Sequence, residues 1–454
     1  MGLSRDSGRM IAARRMTGPA SLHGSAPNPS RLVRAIGRWD LAASVVNSVI
    51  GSAIFGLPAV LAGLTGAWSP VAYLLAGTGI LAIVLCHAEV ASRFTEPGGP
   101  YLYTREAFGS FLGVQAGWLS FCIRVTSMGA NLSIFADYLA QILPGVERGG
   151  GRMLTLLAVA ALVTAINVFG VRTGARTVDL FVVAKVLPLA LLAVLGLPRL
   201  SSGVVASQRV AEANWTQAIL LLVFAYGGFE AALIPAGEMK DPRRDTAFAL
   251  LAGIGVVAAV YMLVQIAVVG VLPHAAGTRA PVAAAYRVLL GTPGVTLASV
   301  AAMVSTYGWA VGSVLNSPRI LYSMGERSEL PPVLARVHPR FRTPYVAIVV
   351  YAAAGLAFAA YGGFAANATL GAIVRLVTYG LVAAALLVFR RRKAEPPGFR
   401  LPLAGLIAPA AIGFCLWLLS TRTFTQAWVL LAMIAIGVLL WWSAGRPREA
   451  AGTV

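Results

Sequence analysis

The sequence has few of the residues that build disulfides and metal sites. Its 454 residues include three cysteines and four histidines. Cys86, Cys122 and Cys415 each lie inside an apolar run, and the histidines form no cluster. This pattern excludes a disulfide framework or a spaced metal motif, so we expect no metal and no cofactor. The sequence also lacks a nucleophile elbow or a group of His, Asp and Glu, and we therefore expect that the protein is not an enzyme.

Charged residues are also scarce. They make up 12% of the chain, whereas roughly a quarter of a soluble domain is charged. Hydrophobic residues make up 58%, and the mean hydropathy is +0.78. These values exclude an ordinary soluble domain and predict a multi-pass protein of a lipid bilayer. The formal net charge of +19 would fit a nucleic-acid-binding protein, but the positions of the charges argue against this partner.

Apolar runs of membrane-spanning length alternate with charged or turn-rich loops along the chain. Because a helix needs ~20 apolar residues to cross the bilayer, the runs predict an all-α membrane protein with about 12 transmembrane helices. The predicted spans lie near residues 40–65, 68–94, 108–141, 153–171, 177–197, 214–238, 247–272, 294–322, 344–362, 367–389, 403–420 and 424–442. We also predict a short helix on the outer membrane surface at residues 280–290. At residues 97–108 we predict a turn followed by a short helix on the inner side.

The basic residues lie mostly on one side of the predicted membrane. With the amino terminus inside, 26 of the 36 Lys and Arg residues fall on the inner side and 7 on the outer side. This asymmetry follows the positive-inside rule, predicts cytosolic termini and accounts for the net charge without nucleic acid. Residues 1–38 predict a disordered basic cytosolic tail, because they lack the apolar core of a signal peptide. Residues 444–454 predict a second cytosolic tail, and the composition favours the inner membrane of a bacterial cell.

Two spans are interrupted by glycine and proline at membrane depth. The first span contains VIGSAIFGLP at residues 49–58, and the sixth contains FAYGGFEAALIP at residues 224–235. Both residue types disfavour a helix interior, and non-helical backbone at this depth must be buried in protein or line a cavity. The pattern predicts broken helices 1 and 6. Kinked helices in another kind of membrane protein are the alternative.

The matching breaks predict two five-helix repeats of opposite orientation. The first repeat would cover residues 39–200 and the second residues 210–390, with two peripheral helices in residues 400–443. The first predicted span starts on the inner side and the sixth on the outer side, as an inverted repeat requires.

Each break exposes backbone groups that suit one end of a zwitterion. The N–H groups of residues 52–54 would face a carboxylate, together with the Ser52 hydroxyl. The carbonyl groups around Phe224, Ala225 and Gly227 would accept hydrogen bonds from an ammonium group. The aromatic residues of the sixth span either wall and gate the site or serve only in packing. The predicted substrate-binding residues are Val49, Ile50, Gly51, Ser52, Ala53, Ile54, Phe224, Ala225, Tyr226, Gly227, Gly228 and Phe229.

Three basic residues lie within predicted spans, where ionisable groups usually serve function. A buried Lys185 could bind and release a proton, and it is the candidate proton-coupling residue. The alternatives are a permanent carboxylate partner or a position at the inner interface. Arg124 and Arg375 stay charged, so we expect both to bond carbonyl groups or acids. Further residues that could reach a central cavity are Ser127, Met128, Asn131, Glu230 and Tyr307.

These residues and three further regions resemble the amino acid–polyamine–organocation transporter superfamily. The regions contain AEVASRF at residues 88–94, PGGPY at residues 97–101, and SPRILY at residues 317–322 followed by VHPRF at residues 337–341. The resemblance covers nearly the whole chain after the tail and implies a LeuT-type fold of five plus five inverted helices. It also implies alternating-access transport of amino acids, with the carboxylate at Gly51–Ile54 and the amine at Phe224–Gly227.

The resemblance further implies that Lys185 replaces a sodium ion and couples transport to protons. Two positions depart from the family pattern. The third position of the first break, usually glycine, is Ala53, and Gly227 stands where relatives often carry a bulkier residue. The two changes act on opposite walls of the site and leave the substrate side chain open.

The predicted function is a secondary active transporter that imports amino acids together with protons. One alternative is an amino acid or amine exchanger without net proton movement. Another is a nutrient sensor on a transporter scaffold, which would favour a large folded cytosolic domain. Nucleobases and polyamines are alternative substrates, and the sequence makes no prediction of oligomeric state.

Overall fold

A computed structural model describes residues 36–96, 98–147, 150–169, 175–234, 236–392 and 396–443. These residues are mostly α-helical, and the extended pairing among them is an isolated bridge between Ile36 and Met239. The predicted all-α architecture is therefore confirmed. Residues 1–35 and 444–454 of the predicted tails lie outside the described residues, as do Pro97 and Pro235 of the two motifs that contain them.

Fifteen α-helices follow one another in the described residues. They are α1 (Arg38–Val49), α2 (Ala53–Thr65), α3 (Ser69–Ala91), α4 (Gly99–Phe108), α5 (Ser110–Leu139), α6 (Gly151–Val168), α7 (Ala175–Gly196), α8 (Ser202–Ser207), α9 (Trp215–Tyr226), α10 (Pro242–Val271), α11 (Pro281–Asn316), α12 (Pro318–Glu326), α13 (Tyr345–Arg391), α14 (Ala404–Ser420) and α15 (Phe424–Ser443). The short inner helix predicted within residues 97–108 is α4.

The longest helical stretch, α13, contains two membrane spans. Its 47 residues would extend for about 70 Å if straight, more than twice the ~30 Å of the hydrocarbon core. The helix is interrupted at Gly363, where φ is 59°. Nδ2 of Asn367 donates a hydrogen bond of 2.9 Å to the carbonyl oxygen of Phe358, nine residues earlier in the sequence. Such a contact is out of reach in a straight helix, so α13 provides the ninth and tenth spans.

The helix α11 is also interrupted. Gly291 has a φ of 68°, so residues 281–290 form a short separate helix, as predicted, before the eighth span. The eighth span ends at Asn316, and Pro318 begins α12. The predicted end of this span near residue 322 is wrong, because a proline has no N–H to continue the preceding helix and suits the first turn of a new one.

The described helices account for the predicted number of spans. Seven continuous helical stretches are long and apolar enough to cross a membrane, and some of them hold two crossings. The twelve spans are α1 with α2, then α3, α5, α6, α7, α9 and α10, the second part of α11, the two parts of α13, α14 and α15.

The two interrupted spans lie side by side in the interior. α2 packs against α9, and α1 packs against α10 and the chain that follows α9. α5 is buried along most of its length and packs against α11 and both parts of α13, whereas α6 and α15 expose most of their surface. Both breaks are therefore surrounded by protein, as the predicted cavity requires. The repeat boundaries at residues 39–200 and 210–390 stay a prediction.

Candidate substrate-binding site

The first break lies between the end of α1 and the start of α2. Ile50 has an extended backbone there, and the carbonyl oxygen of Ser52 accepts hydrogen bonds of 3.1 Å from the N–H groups of Phe55 and Gly56. The N–H groups of residues 51–54 have no hydrogen-bond partner among the described residues. Free donors at the start of a helix favour a bound anion, because they add to the positive end of the helix dipole.

The second break follows α9. Gly227 has an extended backbone, and its carbonyl group accepts no hydrogen bond from any described residue. Gly228 has a φ of 116°, and a β-carbon there would lie 2.5 Å from the carbonyl oxygen of Ser48 in α1. Glycine is therefore required for the second break to approach α1 this closely. Free carbonyl groups at the end of a helix suit a cation.

The two breaks are linked by a tyrosine of α10. The hydroxyl group of Tyr261 lies 3.1 Å from the carbonyl oxygen of Val49 and 3.3 Å from that of Ala225. The single hydroxyl proton is shared between these two carbonyl groups, so one buried side chain contacts both breaks and holds them at a fixed spacing.

A cavity of about 630 Å³ lies between the two breaks, α5, α11 and the second part of α13. It continues to α4 and α12, where Tyr101, Arg319 and Arg327 border it. Arg319 and Arg327 are exposed, so the cavity reaches the molecular surface on this side. The predicted site residues that line the cavity are Val49, Gly51, Ser52, Ala53, Phe224, Gly227, Gly228, Ser127, Asn131 and Glu230.

The remaining predicted residues lie outside the cavity wall. They are Ile50, Ile54, Ala225, Tyr226, Phe229, Met128, Tyr307 and Lys185. The hydroxyl of Tyr226 donates to the carbonyl oxygen of Tyr73 at 3.2 Å, and the ring of Phe229 packs against those of His87 and Tyr379. These contacts favour the packing role for Tyr226 and Phe229. Phe224 is the aromatic residue of the second break that borders the cavity.

Ser52 and Asn131 bring unpaired polar atoms to the cavity. They are 1% and 3% exposed, and Oγ of Ser52 and Oδ1 of Asn131 have no hydrogen-bond partner in the described part of the chain. A β-carbon on Gly51 would lie 3.3 Å from the ring of Trp309 and 3.5 Å from Oδ1 of Asn131, so both side chains border the first break. Buried polar atoms without partners are costly, and a polar ligand would satisfy them.

Lys185 of α7 lies directly behind the first break and is 2% exposed. Its Nζ donates to Oδ1 of Asn47 at 2.9 Å and to the carbonyl oxygen of Ile50 at 3.3 Å. No carboxylate among the described residues lies within ion-pair distance of it. The ammonium group therefore stabilises the interrupted backbone of α1. Lys185 neither forms a permanent ion pair with a described carboxylate nor lies at the membrane interface.

Arg375 and Glu230 form a buried ion pair at the cavity wall. Nε of Arg375 lies 3.5 Å from Oε1 of Glu230, and Nη2 donates to Oγ of Ser127 at 3.2 Å. Glu230 also accepts hydrogen bonds from the N–H of Gly228 at 2.8 Å and from the hydroxyl of Tyr379 at 3.0 Å. The expectation that Arg375 bonds an acid is confirmed.

Arg124 of α5 borders the same cavity without such partners. Its guanidinium makes no hydrogen bond and no ion pair with any described residue. The expected direct bond to a carbonyl group or an acid is therefore not formed, although the charge of Glu230 attracts Arg124 at longer range.

An aromatic layer closes the cavity on the side away from α4 and α12. Phe364 packs so closely on α2 that a β-carbon on Gly56 would lie 2.5 Å from its ring. The ring of Phe224 meets that of Phe364 edge-on, with centroids 6.2 Å apart. A second cavity of about 430 Å³ lies beyond this layer and is bordered by Asp137 and Arg279. The central cavity is thus open on one side and closed on the other.

Sequence reasoning missed Asn47, Tyr379 and Phe364. Asn47 had a usable signal, because Ser44, Asn47 and Gly51 recur at helical spacing and all border the cavity. Tyr379 and Phe364 had none, since an aromatic residue in an apolar span is ordinarily a packing residue.

Comparison with known proteins gives a consistent result. A family model described as amino acid permease matches residues 36–447. The chain is 28% identical over 418 residues to the serine/threonine exchanger SteT of Bacillus subtilis, covering 90% of this chain and 95% of the relative. It is 24% identical over 453 residues to the methylthioribose transporter of Bacillus subtilis, covering 92% and 95%. It is 27% identical over 405 residues to the b(0,+)-type amino acid transporter 1 of Mus musculus, covering 86% and 83%.

Proposed function

This chain belongs to the amino acid permease family, and on that premise we propose that it imports amino acids by alternating access with protons as the coupling ion. Membership confirms the resemblance seen in the sequence and the LeuT-type all-α fold that it implied. Two of the three relatives are named for amino acids and one for methylthioribose. The relatives' names alone therefore do not identify the substrate, and our proposal of an amino acid depends on the chemistry of the cavity.

One observation carries the proposal: the two breaks present complementary backbone groups to one cavity. The free N–H groups of residues 51–54 would bind the α-carboxylate, and the hydroxyl of Ser52 would add a donor. The carbonyl group of Gly227 and Oδ1 of Asn131 would accept hydrogen bonds from the ammonium group. Anion and cation sites that face one cavity suit an α-amino acid better than a nucleobase or a polyamine.

The proposed transport cycle alternates between the two sides of the aromatic layer. The cation distribution along the sequence assigns the α4 and α12 side to the cytosol, so the described conformation would be open inward. Outward opening would require Phe364 to leave Gly56, while the inner route closes between α1, α4 and α12. Under this orientation both termini are cytosolic, and the protein resides in the inner cell membrane. Residues 39–200 and 210–390 would be the two repeats that move relative to each other.

The proposed coupling site is Lys185. Its ammonium group donates to the carbonyl oxygen of Ile50, at the point where α1 is interrupted. Loss of a proton would leave a neutral amine with one fewer donor, so the interrupted backbone would be held less firmly. The charge state of Lys185 would thereby influence the geometry of the carboxylate site without direct contact with the substrate.

The proposal is tested by uptake into proteoliposomes. Each radiolabelled amino acid is offered to wild type, Lys185→Ala and Lys240→Ala, with and without an inward proton gradient. We expect the gradient to stimulate uptake in wild type and in Lys240→Ala, because Lys240 is an exposed loop residue of the same type. Lys185→Ala should keep amino acid counterflow but lose the response to the gradient.

An exchanger is the second candidate, and the name of the relative SteT favours it. Counterflow that ignores the proton gradient in all three proteins would support exchange and leave Lys185 with a structural role. Folded protein that moves no amino acid in either assay would overturn the transport proposal and turn attention to amines, nucleobases or a sensor.

A further inference from the structure

The charges at the centre of the cavity do not balance. Among the described residues that border its middle, the charged side chains are Arg124, Arg375 and Glu230. The exposed charged residues at the mouth are Glu96, Glu238, Arg319 and Arg327, and their formal charges sum to zero. One positive charge is therefore in excess near the site where a net neutral amino acid would bind.

Glu230 has no capacity left to neutralise both arginines. It already pairs with Arg375 and accepts hydrogen bonds from the Gly228 N–H and the Tyr379 hydroxyl. Arg124 makes no hydrogen bond and no ion pair with a described residue. Arg124 is attracted to Glu230 but makes no direct ion pair with it, and its half-buried guanidinium faces the cavity. An ionisable group at this depth ordinarily has a partner, so the position favours an anionic group that arrives from outside the protein.

The backbone around Arg375 is shaped to admit its guanidinium to the cavity wall. A β-carbon on Gly227 would lie 2.3 Å from Nε of Arg375, and one on Gly371 would lie 3.3 Å from its Nη1. The guanidinium also lies over the ring of Phe224, 5.3 Å from the centroid. Gly227 has no side chain of its own to occupy this space. The absence of a side chain at Gly227 leaves room for the charged guanidinium of Arg375.

Arg124 lies on the cavity face of α5 together with Ser127 and Asn131. These residues follow the helical repeat, so they share one face. Asn131 borders the first break, where the α-carboxylate would bind, and Arg124 is ~10 Å nearer the cavity mouth along the helix axis. A ligand held at the break would therefore extend its side chain along this face towards Arg124, past the Arg375–Ser127 contact.

We propose that Arg124 and Arg375 form a subsite for a side-chain carboxylate, and that the transported substrates are acidic amino acids. This inference rests on the proposed function, since it assumes that the α-amino and α-carboxyl groups occupy the two breaks. An acidic amino acid carries one net negative charge and matches the excess positive charge of the cavity. A polyamine or a basic amino acid would place like charges together.

The test compares ligands that differ in charge but hardly in shape. Equilibrium binding of L-glutamate and L-glutamine, and of L-aspartate and L-asparagine, is measured with purified full-length protein at fixed salt. Trp309 borders the cavity and provides a fluorescence signal. We expect wild type to prefer the acid of each pair by about tenfold or more, because a charge-assisted bidentate bond is lost with the amide.

Arg124→Gln should abolish this preference while retaining weak binding of glutamine, since the two breaks are unchanged. Arg336→Gln removes one exposed positive charge away from the cavity and should leave the preference as in wild type. Elution as a single folded species is checked for each variant. The comparison of ligands in wild type stands even if Arg124→Gln fails to fold.

Equal or tighter binding of glutamine than of glutamate by wild type would overturn the acidic-substrate proposal and leave amino acid binding intact. A preference for glutamate that survives in folded Arg124→Gln would also overturn it. Absence of binding by any amino acid would overturn both this inference and the proposed function.

Discussion

Two adjacent glycines, Gly227 and Gly228, leave room for two different neighbours. At Gly227 the neighbour is the guanidinium of Arg375, a flexible group. At Gly228 it is the backbone carbonyl of Ser48, and the left-handed φ of 116° adds a second restriction. A side chain at Gly227 would therefore alter the wall of the cavity, whereas one at Gly228 would push the two breaks apart.

Gly228→Ala should destabilise the protein by about 1–3 kcal/mol, because alanine is strained at this φ and its methyl group meets backbone. The measurement is the midpoint of thermal unfolding in detergent. Gly255→Ala is the matched control, since Gly255 lies in α10 with no atom near its missing β-carbon. This control should be neutral or stabilising by up to about 1 kcal/mol. An unchanged midpoint for Gly228→Ala would contradict the close approach.

Among the elements, α13 combines two roles because it crosses twice. Its second part carries Phe364 at one end, Arg375 near the middle and Arg390 near the other end. These residues contribute to the aromatic layer, the cavity wall and a cluster around Glu89. A displacement of this part of α13 would therefore move the aromatic layer and the cavity wall together.

Phe364→Ala should open the closed side of the cavity, because the ring that seals Gly56 is removed. The variant is made in a protein carrying Ser52→Cys, and a membrane-impermeant thiol reagent is applied from the side of the second cavity. We expect faster labelling than in Ser52→Cys alone. The native cysteines Cys86, Cys122 and Cys415 are buried, and the parent protein controls for their reaction.

Tyr361→Ala serves as the matched control for this gate. Tyr361 lies three residues earlier, before the interruption at Gly363, and is 98% exposed, so its loss should not change labelling. Equal labelling of all the proteins from this side would show that Phe364 does not seal the cavity.

The helices and their interruptions could be predicted from the sequence more completely than the contacts between side chains. The number of spans, the interruption near Gly51 and the short helix before Gly291 follow from apolar length and from glycine and proline. The end of the eighth span was mispredicted, because apolar residues continue past Pro318 into an amphipathic helix. Apolar composition alone does not show where α11 ends and α12 begins.

Across the whole molecule, a buried carboxylate joins distant parts of the chain. Glu89 is 0% exposed and accepts hydrogen bonds from Arg390 at 2.5 and 3.0 Å, from Arg93 at 2.8 Å and from the N–H of Leu401 at 2.8 Å. It thereby connects α3, the end of α13 and the segment before α14.

Glu89→Gln should lower the free energy of unfolding by about 2–4 kcal/mol, because it leaves Arg390 without its counter-charge in a largely buried place. Thermal unfolding measures the effect. Glu147→Gln is the control, since Glu147 pairs with Arg279 at 3.2 Å on the exposed surface. That change should cost at most about 1 kcal/mol. Similar losses for the two variants would argue against a special role of Glu89.

The candidate site shows where prediction from sequence stops. Backbone donors and acceptors at the two breaks could be predicted, since they depend on helix interruption near Gly51 and Gly228. The partners of charged side chains could not, because they depend on how spans pack. Arg375 forms a direct ion pair with Glu230, whereas Arg124 makes no direct ion pair with a described residue. Nothing in the local sequence of either arginine distinguishes the two outcomes.

The aromatic layer around Phe364 also has an electrical consequence. Cavities of about 630 and 430 Å³ approach it from opposite sides. Where both contain water and ions, the membrane voltage falls mainly across the thin layer between them. The work on a unit charge, ~2.3 kcal/mol per 100 mV, is then concentrated within a few ångströms of this layer. If the layer changed its position relative to Lys185 or Arg375 during gating, that charge would move from one side of the voltage drop to the other. Neither side chain would have to cross the bilayer.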